Sequence, residues 1–371
     1  MSISPPVPAA ITVPPQLSRV AAIVAIALAI ALASACSAGG SSRGPDVFVS
    51  SAGRSLAIAA PPSFTEAPTI SLALDRIDQR DLPLDRIYRH YGTGREVTVY
   101  VFDGGVSDTH PELAGRVRRG FDAFPDEQRL CNGHGTAVAG AVAGATLGVA
   151  SDAQIVDVKM VECKRMRGSI DAIVRGSDWV LQDHARHPGR RAVANWSFIA
   201  DTSAAVPALD SAVQRLRAAG IPVVVSAGNV ELDACHISPG NAPGVIVVGA
   251  SRVRHVEGSA GGLVDVRAAN TAFGPCIDIF APGDSVMLPG VDGAGEPVTQ
   301  LWTGTSMSAG YVSGAAALFL EANPGATVDA VAAHLRPAGL RVSVDPASPR
   351  AGILYVGTTR TPARTRASQT R

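Results

Sequence analysis

Three residues of this chain carry side chains that could together perform nucleophilic catalysis. Asp103 follows the apolar run VTVYVF, His134 lies in the segment NGHGT, and Ser306 lies in the segment GTSM. A serine hydroxyl becomes a useful nucleophile when a histidine takes its proton, and the histidine needs an acceptor that fixes its tautomer. Singly, each residue has an ordinary structural explanation, since serine often caps helices, aspartate often ends strands and histidine often lies in turns. Only their combination predicts an Asp-His-Ser hydrolytic site.

The elements that flank these residues must bring them to one place. Short β-branched runs alternate with helical stretches, which predicts an α/β fold with a mainly parallel sheet and helices on both faces. Asp103 would then lie at the carboxyl edge of the sheet, where sites form, and Ser306 at a helix N-terminus, which favours developing negative charge. Strands are predicted at 97–102, 154–160, 192–197, 222–226 and 245–249, and helices at 135–145, 169–184, 207–219 and 306–322.

The composition sets limits on size and partners. The 371 residues are 46% hydrophobic, which suits one large domain with a sizeable core. Lys and Arg total 32, and Asp and Glu total 32, so no net charge would draw the chain to nucleic acid or to an acidic membrane. Aromatic residues make up only 5%, which offers little surface for stacking bases. We therefore expect no nucleic-acid partner.

The N-terminal part of the sequence predicts export. Arg19 precedes an apolar run at 20–33, and small residues follow up to Cys36, so residues 1–36 are predicted to be a signal peptide. A membrane anchor is the alternative, but the run is shorter than the roughly 20 residues that span a bilayer. The segment that ends at Cys36 is similar to a lipoprotein signal, so lipidation there is the one expected route to a membrane. Residues 37–70 are predicted to be a short pro-segment or linker, and residues 359–371 a disordered basic tail.

Four cysteines remain besides Cys36. Export makes disulfides chemically permissible, and four cysteines allow three connectivities, among which the residues alone do not choose. Four buried thiols are the alternative, which would suit a cytosolic protein better. We expect two disulfides among Cys131, Cys163, Cys235 and Cys276.

The segments DGG, NGHGT and GTSM, in this order, resemble the three signature segments of the subtilisin family. The segments DRIDQRDLP at 75–83 and DIFAPG at 278–283 resemble its proteinase K branch, aqualysin-like members in particular, over almost all of residues 72–323. The resemblance implies a subtilisin-like three-layer sandwich over residues 71–358. It also implies a secreted serine endopeptidase that hydrolyses polypeptides through an acyl-enzyme, and we expect a monomer.

The resemblance further implies roles for residues outside the triad. Asn229, in the segment VSAGN, would offer its side-chain amide to the oxyanion beside the Ser306 backbone N–H. From the residues alone, Asn229 suits a turn equally well. In the same branch the cysteines pair as Cys131 with Cys163 and Cys235 with Cys276.

A calcium site is also implied by the proteinase K branch. Its ligands are two backbone carbonyls and one aspartate, which correspond here to Pro243, Val245 and Asp278. Oxygen ligands suit this hard cation, which would stabilise the fold without taking part in catalysis. The alternative is an ordinary buried aspartate that accepts hydrogen bonds from backbone N–H groups.

The chain departs from the family pattern at several positions near the predicted site. Gly104 stands where a threonine or serine would support the Asp103 carboxylate, so one hydrogen bond is expected to be missing. Ser197, Phe198 and Ile199 correspond to the substrate-binding strand, but Ile199 and Ala200 replace two glycines. Tolerable replacements are expected at Ala137, Ser308 and Gly310.

Ile199 leaves two functional outcomes open. It would either fill the primary pocket, so that peptides with small side chains are favoured, or block peptide binding altogether. The predicted pro-segment is also about half the size usual in the family. The alternative function is therefore a catalytically silent binding protein with the subtilisin fold. A third alternative, an intracellular hydrolase, fits poorly with the export signal.

Overall fold

The computed structural model describes residues 63–200, 205–256, 262–336 and 345–357. The predicted signal peptide with Cys36, the greater part of the predicted pro-segment and the predicted basic tail lie outside these residues. No helix within the described ranges is both long and apolar enough to cross a membrane.

The strands include a central, mainly parallel set and several two-stranded antiparallel sheets. They are β1 (Phe64–Pro68), β2 (Ile87–Tyr91), β3 (Val97–Asp103), β4 (Val117–Asp122), β5 (Gln154–Lys159), β6 (Val161–Glu162), β7 (Arg167–Gly168), β8 (Arg191–Trp196), β9 (Val223–Ser226), β10 (Ile246–His255), β11 (Leu263–Arg267), β12 (Ile279–Pro282), β13 (Val286–Val291) and β14 (Pro297–Trp302).

The α-helices connect the central strands and cover both faces of the sheet. They are α1 (Leu72–Ile77), α2 (His134–Ala143), α3 (Ile170–Ala185), α4 (Pro207–Ala218), α5 (Thr305–Ala322) and α6 (Val328–Leu335). Each of the five strands and four helices expected from the sequence is present. Most of their ends agree within two residues, and β10 continues six residues beyond the predicted end at 249.

The central sheet has eight strands in the order β11-β10-β9-β8-β3-β5-β4, with β12 also paired to β10. Every pairing in it is parallel except that of β10 with the edge strand β11. A parallel sheet needs helical crossovers that bury both of its faces. The mainly parallel α/β architecture predicted from the sequence is therefore confirmed.

Two hydrophobic cores lie on opposite faces of this sheet. Successive residues of β3 alternate between them, because side chains of a strand point to opposite faces in turn. Val99 and Val101 pack in the core that includes α2 and α5, whereas Tyr100 and Phe102 pack in the core that includes α3 and α4. The molecule consequently has three layers, with the sheet in the middle.

Helices α2 and α5 lie unusually close because small residues face each other. A Cβ on Gly310 would be 2.8 Å from the Ala141 Cβ and from the Val138 carbonyl oxygen, so only glycine fits there without displacement. Gly310 and Ala137 thus occupy positions where little space is available. Their replacement of the usual family residues is compatible with this tight packing, since Ala137 is fully buried.

The short strand β1 lies within the range 37–70, which the sequence predicts to be a linker or pro-segment. It pairs antiparallel with β2, from Phe64 opposite Tyr91 to Pro68 opposite Ile87. Residues 64–68 therefore contribute to the domain surface as one strand of a two-stranded antiparallel sheet. Alternating burial does not reveal this strand in the sequence, because most of its residues are exposed.

Candidate active site

Asp103 and His134 form a direct hydrogen-bonded pair. Asp103 is the last residue of β3, and His134 is the first residue of α2. The imidazole Nδ1 lies 2.8 Å from Asp103 Oδ2 and 3.0 Å from Oδ1. The carboxylate also accepts a hydrogen bond from the Gly104 backbone N–H at 2.7 Å. A carboxylate on Nδ1 leaves Nε2 as the ring nitrogen that can accept a proton.

The backbone around His134 is shaped to bring the ring to Asp103. Asn132 Oδ1 accepts the His134 backbone N–H at 2.9 Å and so satisfies one free donor at the start of α2. A Cβ on Gly135 would lie 2.5 Å from the Gly105 carbonyl oxygen and 2.9 Å from the Asp103 Cβ. The absence of a side chain at Gly135 therefore permits the close approach of α2 to the end of β3.

The pKa of His134 lies above its usual value of 6.5. Burial disfavours the imidazolium and lowers the pKa, but the negative charge of Asp103 and its hydrogen bond raise it by more. The protonated pair consequently stabilises the folded protein below pH 6.5. This contribution is lost as the pH rises through the folded pKa of His134.

We expect Asp103→Asn to bring the pKa of His134 below 6.5. The substitution removes the negative charge that raises this pKa, while the burial that lowers it remains. An NMR titration of the His134 ring in the two proteins measures the change. The matched control is Asp152→Asn, which removes a carboxylate bonded to Thr93 elsewhere on the domain and should leave the His134 titration unaltered. A His134 pKa that stays above 6.5 in Asp103→Asn would contradict this account.

Ser306 lies at the second position of α5 and is almost fully buried, with 6% of its surface exposed. Its hydroxyl donates to the Ser197 carbonyl oxygen at 3.3 Å, and the Ser197 hydroxyl donates to the Ser306 carbonyl oxygen at 3.1 Å. These two bonds fasten the start of α5 to the residue after β8. The Ser306 hydroxyl therefore bonds to Ser197 and not to His134.

The ends of β3 and β8 explain why the three residues come together. Phe102 pairs with Trp196 in the parallel register, so Asp103 and Ser197 follow at adjacent strand ends. Ser197 in turn contacts Ser306, and the His134 ring packs edge-on against Trp302, just before α5, with a centroid distance of 6.2 Å. Asp103, His134 and Ser306 thus gather at the carboxyl edge of the sheet.

Asn229 is bound to the first turn of α5 through its amide oxygen. Asn229 Oδ1 accepts the Thr305 backbone N–H at 2.8 Å and the Thr305 hydroxyl at 3.0 Å. These bonds fix the amide plane, so Nδ2 remains the donor that can act elsewhere. Gly304 precedes this turn at φ 151°, and a Cβ there would lie 3.0 Å from Asn229 Nδ2. Glycine at position 304 therefore keeps the space in front of the amide open.

The residues expected to bind substrate follow β8 directly. The Phe198 carbonyl oxygen accepts the Ser226 hydroxyl at 3.4 Å, and the Ala200 N–H donates to the Ser238 carbonyl oxygen at 2.8 Å. Ile199 is partly buried, and its Cγ2 and Cδ1 lie 3.2 and 3.4 Å from the point where a Cβ on Gly228 would stand. The Ile199 side chain therefore occupies the gap between residues 197–200 and the loop that carries Asn229.

Disulfides join Cys131 to Cys163 and Cys235 to Cys276, the two pairs implied by the family resemblance. The first lies beside the site. A Cβ on Gly104 would stand 3.2 Å from the Cys131 Cβ, and the Cys131 N–H donates to the Gly104 carbonyl oxygen at 2.9 Å. The bridge therefore packs against the residue that follows Asp103.

Two of the three residues expected to bind calcium use their oxygens in hydrogen bonds to protein groups, and the calcium site remains a prediction. Asp278 Oδ1 accepts a charged hydrogen bond from Arg336 Nε at 2.7 Å, and its Oδ2 accepts the Val247 N–H at 3.0 Å. The Pro243 carbonyl oxygen accepts the Gln214 amide at 2.6 Å. The oxygens of Asp278 and Pro243 are thus already bonded to protein donors. Within the described ranges, no cluster of three His, Cys, Asp or Glu side chains could hold a metal either.

Two residues that shape the site, Thr305 and Trp302, were not predicted from the sequence. The Thr305 hydroxyl donates to Asn229 and also accepts the Gly228 N–H at 3.2 Å, so it ties two loops together. Its place inside the GTSM segment is a signal that could have been used. Trp302 packs against His134 because the hairpin of β13 and β14 folds towards α2, and no local pattern predicts that contact.

Comparisons with known proteins identify related sequences. A profile of the Subtilase family matches residues 94–347, more than half of the chain. An extracellular serine proteinase of Thermus sp. (strain Rt41A) is 40% identical over 264 residues, which cover 71% of this chain and 60% of the relative. The alkaline serine exoprotease A of Vibrio alginolyticus is 37% identical over 252 residues, which cover 67% of this chain and 43% of that protein. The chain therefore spans 60% or less of the length of these two relatives.

A solved structure supports the same assignment. The crystal structure of a cold adapted subtilisin-like serine proteinase is 35% identical and has a TM-score of 0.67, with 79% of this chain and all of that chain covered. The predicted subtilisin-like fold is thereby confirmed. The family profile, the identity to the relatives and the shared fold together show that this chain belongs to the subtilase family.

Proposed function

We propose that this chain is an exported serine endopeptidase that hydrolyses polypeptides through Asp103, His134 and Ser306. The observation that carries the proposal is the Asp103–His134 hydrogen-bonded pair at the same sheet edge as the start of α5, where Ser306 lies. An aspartate that fixes the histidine and a serine at a helix start are the components of an acyl-transfer site. The two relatives named above are described as serine proteases, and one of them as extracellular.

In the proposed reaction the Ser306 hydroxyl first leaves the Ser197 carbonyl and turns towards His134. His134 Nε2 takes the hydroxyl proton while Oγ attacks the carbonyl carbon of the substrate, and the peptide C–N bond then breaks as His134 returns the proton to the leaving amine. Asp103 stabilises the transient imidazolium. Water attacks the acyl-enzyme in a second, equivalent cycle that releases Ser306.

Two donors are available for the oxyanion of the tetrahedral intermediate. One is the backbone N–H of Ser306, which lies in the first turn of α5 and therefore has no partner within the helix. The other is Asn229 Nδ2, whose amide oxygen is already held by Thr305. Donors that are fixed before the reaction stabilise charge without a reorganisation cost.

The Ile199 side chain supports a preference for small residues before the cleaved bond. It packs on Gly228, next to Asn229, and so takes up space beside the oxyanion donor where a substrate side chain would otherwise enter. A pocket shortened in this way accepts alanine or glycine and excludes aromatic side chains. Ser197 and Phe198 remain the residues whose backbone would pair with substrate.

We expect Ile199→Gly to raise kcat/KM for peptides with phenylalanine before the cleaved bond by about 30- to 100-fold relative to peptides with alanine. Each buried CH₂ group of the substrate contributes about 0.8 kcal/mol, so a newly admitted aromatic ring gains 2 kcal/mol or more. Matched peptides and a peptide-library digest measure the shift. Ile199→Leu is the control, because it keeps the volume of the side chain and should keep the preference for alanine. An unchanged preference in Ile199→Gly would place the pocket elsewhere.

The rival candidate is a silent binding protein with the subtilase fold, favoured by the same Ile199 contact. Labelling of the purified full-length protein with a fluorophosphonate separates the two candidates. Stoichiometric labelling at Ser306 is expected of the peptidase. A folded, disulfide-bonded protein that neither labels nor cleaves any library peptide would overturn the peptidase proposal and favour the binding protein.

Export is proposed on the strength of the two disulfides, which persist in oxidising compartments. The predicted lipidation of Cys36 and the predicted monomeric state remain predictions. Mass spectrometry of the mature N-terminus would show whether Cys36 is retained and acylated.

A further inference from the structure

An ion pair between a buried carboxylate and a partly exposed arginine lies near the Asp103–His134 pair and has none of the roles described so far. Arg129 Nη1 lies 2.9 Å from Asp157 Oδ2, and only 4% of the Asp157 side chain is exposed. Asp157 lies on β5 opposite Val101 of β3, two residues before Asp103 on the neighbouring strand. Arg129 lies in the segment that leads from β4 to His134. The pair therefore connects the two parts of the chain that deliver the aspartate and the histidine.

The guanidinium of Arg129 also holds the loop that follows Asp103. Arg129 Nη2 donates to the Val106 carbonyl oxygen at 2.7 Å. A Cβ on Gly105 would lie 2.2 Å from the Arg129 carbonyl oxygen, and Gly105 has a φ of 104°. Both the close contact and the positive φ require glycine at this position. Together with the Cys131 N–H bond to Gly104, these contacts fix three successive residues after Asp103.

The loop of residues 104–106 also packs against the first turn of α2. The Gly105 carbonyl oxygen lies 2.5 Å from the position of a Cβ on Gly135, the residue that follows His134. Residues 104–106 are thus held between Arg129 on one side and the start of α2 on the other. A shift of this loop would move the Asp103 carboxylate and the His134 ring relative to each other.

Asp157 is a costly residue to place here, which argues for a role beyond packing. Burial raises its pKa to about 7; the charge of Arg129 and a backbone hydrogen bond from Val106 lower it, whereas the charges of Asp103 and Asp122 raise it further. Its Oδ1 has no hydrogen-bond partner in the described part of the protein. An apolar pair of similar volume would commonly be at least as stable as such an ion pair.

We propose that Arg129 and Asp157 are positioning residues, which hold residues 104–106 in place and thereby orient the Asp103 carboxylate against His134. Asp157 orients the Arg129 guanidinium, and the guanidinium in turn donates a hydrogen bond to the Val106 carbonyl oxygen. Neither residue touches the reacting atoms. The effect on turnover rests on the triad proposed above, whereas the effect on the Asp103–His134 hydrogen bond does not.

The test compares Arg129→Gln, Arg129→Lys, Asp157→Asn and the double variant Arg129→Gln/Asp157→Asn in the full-length protein. Three quantities are measured: kcat and KM for an alanine peptide, Tm, and the low-field proton resonance of His134 Nδ1–H. The control is Arg95→Gln, which removes an exposed arginine paired with Asp152 at 3.2 Å and shares no partner with Arg129 or Asp157. The resonance requires no turnover, so it reports on the pair even if the peptidase proposal fails.

Arg129→Gln is expected to lower kcat by about 10- to 100-fold with KM within about twofold, because a small displacement of a catalytic group is costly. The His134 resonance should shift or broaden in the same variant. Its Tm should fall by about 10 °C, since Asp157 loses its partner. Arg129→Lys keeps the positive charge but cannot contact both Asp157 and the Val106 carbonyl. Relative to Arg129→Gln, its Tm should therefore recover more than its kcat.

The double variant decides between positioning and mere stability. Its Tm should recover relative to Arg129→Gln, since no charge is left unpaired, while kcat and the resonance remain altered, since the Val106 contact is still missing. Recovery of kcat together with Tm would show that the pair only stabilises the fold and would overturn the proposal. An unaltered resonance in Arg129→Gln would overturn it as well. Failure of the unmodified protein to react with fluorophosphonate would instead refute the proposed function alone.

Discussion

Replacement of Ser306 by alanine is expected to lower kcat for peptide hydrolysis by about 10⁶-fold and to abolish fluorophosphonate labelling. The nucleophile and its base act as a unit, so the loss of the hydroxyl removes nearly all of the catalysis that depends on covalent attack. Binding and oxyanion donors remain, so a residual rate about 10³- to 10⁴-fold above that in water should survive. Active-site titration and initial rates on an alanine peptide measure the loss.

Ser308→Ala is the matched control for this experiment. Ser308 lies two residues further along α5 and is also buried, but its hydroxyl donates to the carbonyl oxygens of Ala281 and Pro282. Its removal should cost about 1 kcal/mol of stability and leave kcat within about threefold. Retention of labelling in Ser306→Ala, or its loss in Ser308→Ala, would show that Ser306 is not the nucleophile.

The second large effect is expected at Asn229. Asn229→Ala should lower kcat by about 10²- to 10³-fold with little change in KM, because the amide donor acts on the charge of the transition state more than on the bound substrate. The substitution also deletes the acceptor for Thr305, which holds the first turn of α5. Some loss of stability should therefore accompany the loss of rate.

Asn229→Asp separates these two consequences. The aspartate keeps an acceptor for the Thr305 N–H and hydroxyl, so Tm should stay close to that of the unmodified protein. It lacks the Nδ2 donor and places negative charge near the oxyanion, so kcat should fall at least as far as in Asn229→Ala. An Asn229→Asp protein with near-normal kcat would exclude the side-chain amide as an oxyanion donor.

The fold was largely predictable because its signals are local. The β-branched runs that become β3, β5, β8 and β9, and the small-residue stretch that becomes α5, each specify their own conformation. The two-stranded sheet of β1 and β2 could not be predicted in this way. Its strand Phe64–Pro68 is mostly exposed, so no alternation of buried and exposed residues marks it.

The candidate site was predictable to the level of residue types and order. Asp103 at a strand end, His134 at a helix start and Ser306 at the start of another helix are all found as expected. What could not be predicted is the present direction of the Ser306 hydroxyl, which bonds to Ser197. That direction depends on the Ser197 main-chain carbonyl, which lies 109 residues away from Ser306 in the sequence.

The predicted calcium site likewise depends on contacts between residues that are distant in the sequence. Pro243, Val245 and Asp278 stand at the sequence positions that the family resemblance implies. Backbone carbonyl ligands have no side-chain signature, however, and the sequence does not show which protein donors compete for these oxygens. Arg336 reaches Asp278 from the end of α6, 58 residues further along the chain. Only the folded chain reveals that a guanidinium already serves this carboxylate.

The sequence by itself determined the family and the layered α/β fold, and it contained the three residues proposed to perform hydrolysis, since these follow from short motifs and local periodicity. The tertiary structure decided how those residues are held and how much space they leave. It placed Ile199 on Gly228 and brought Arg129 to Asp157 near the site. Such contacts join side chains from separate strands and loops, and their geometry is set by packing of the whole domain, which no local pattern contains.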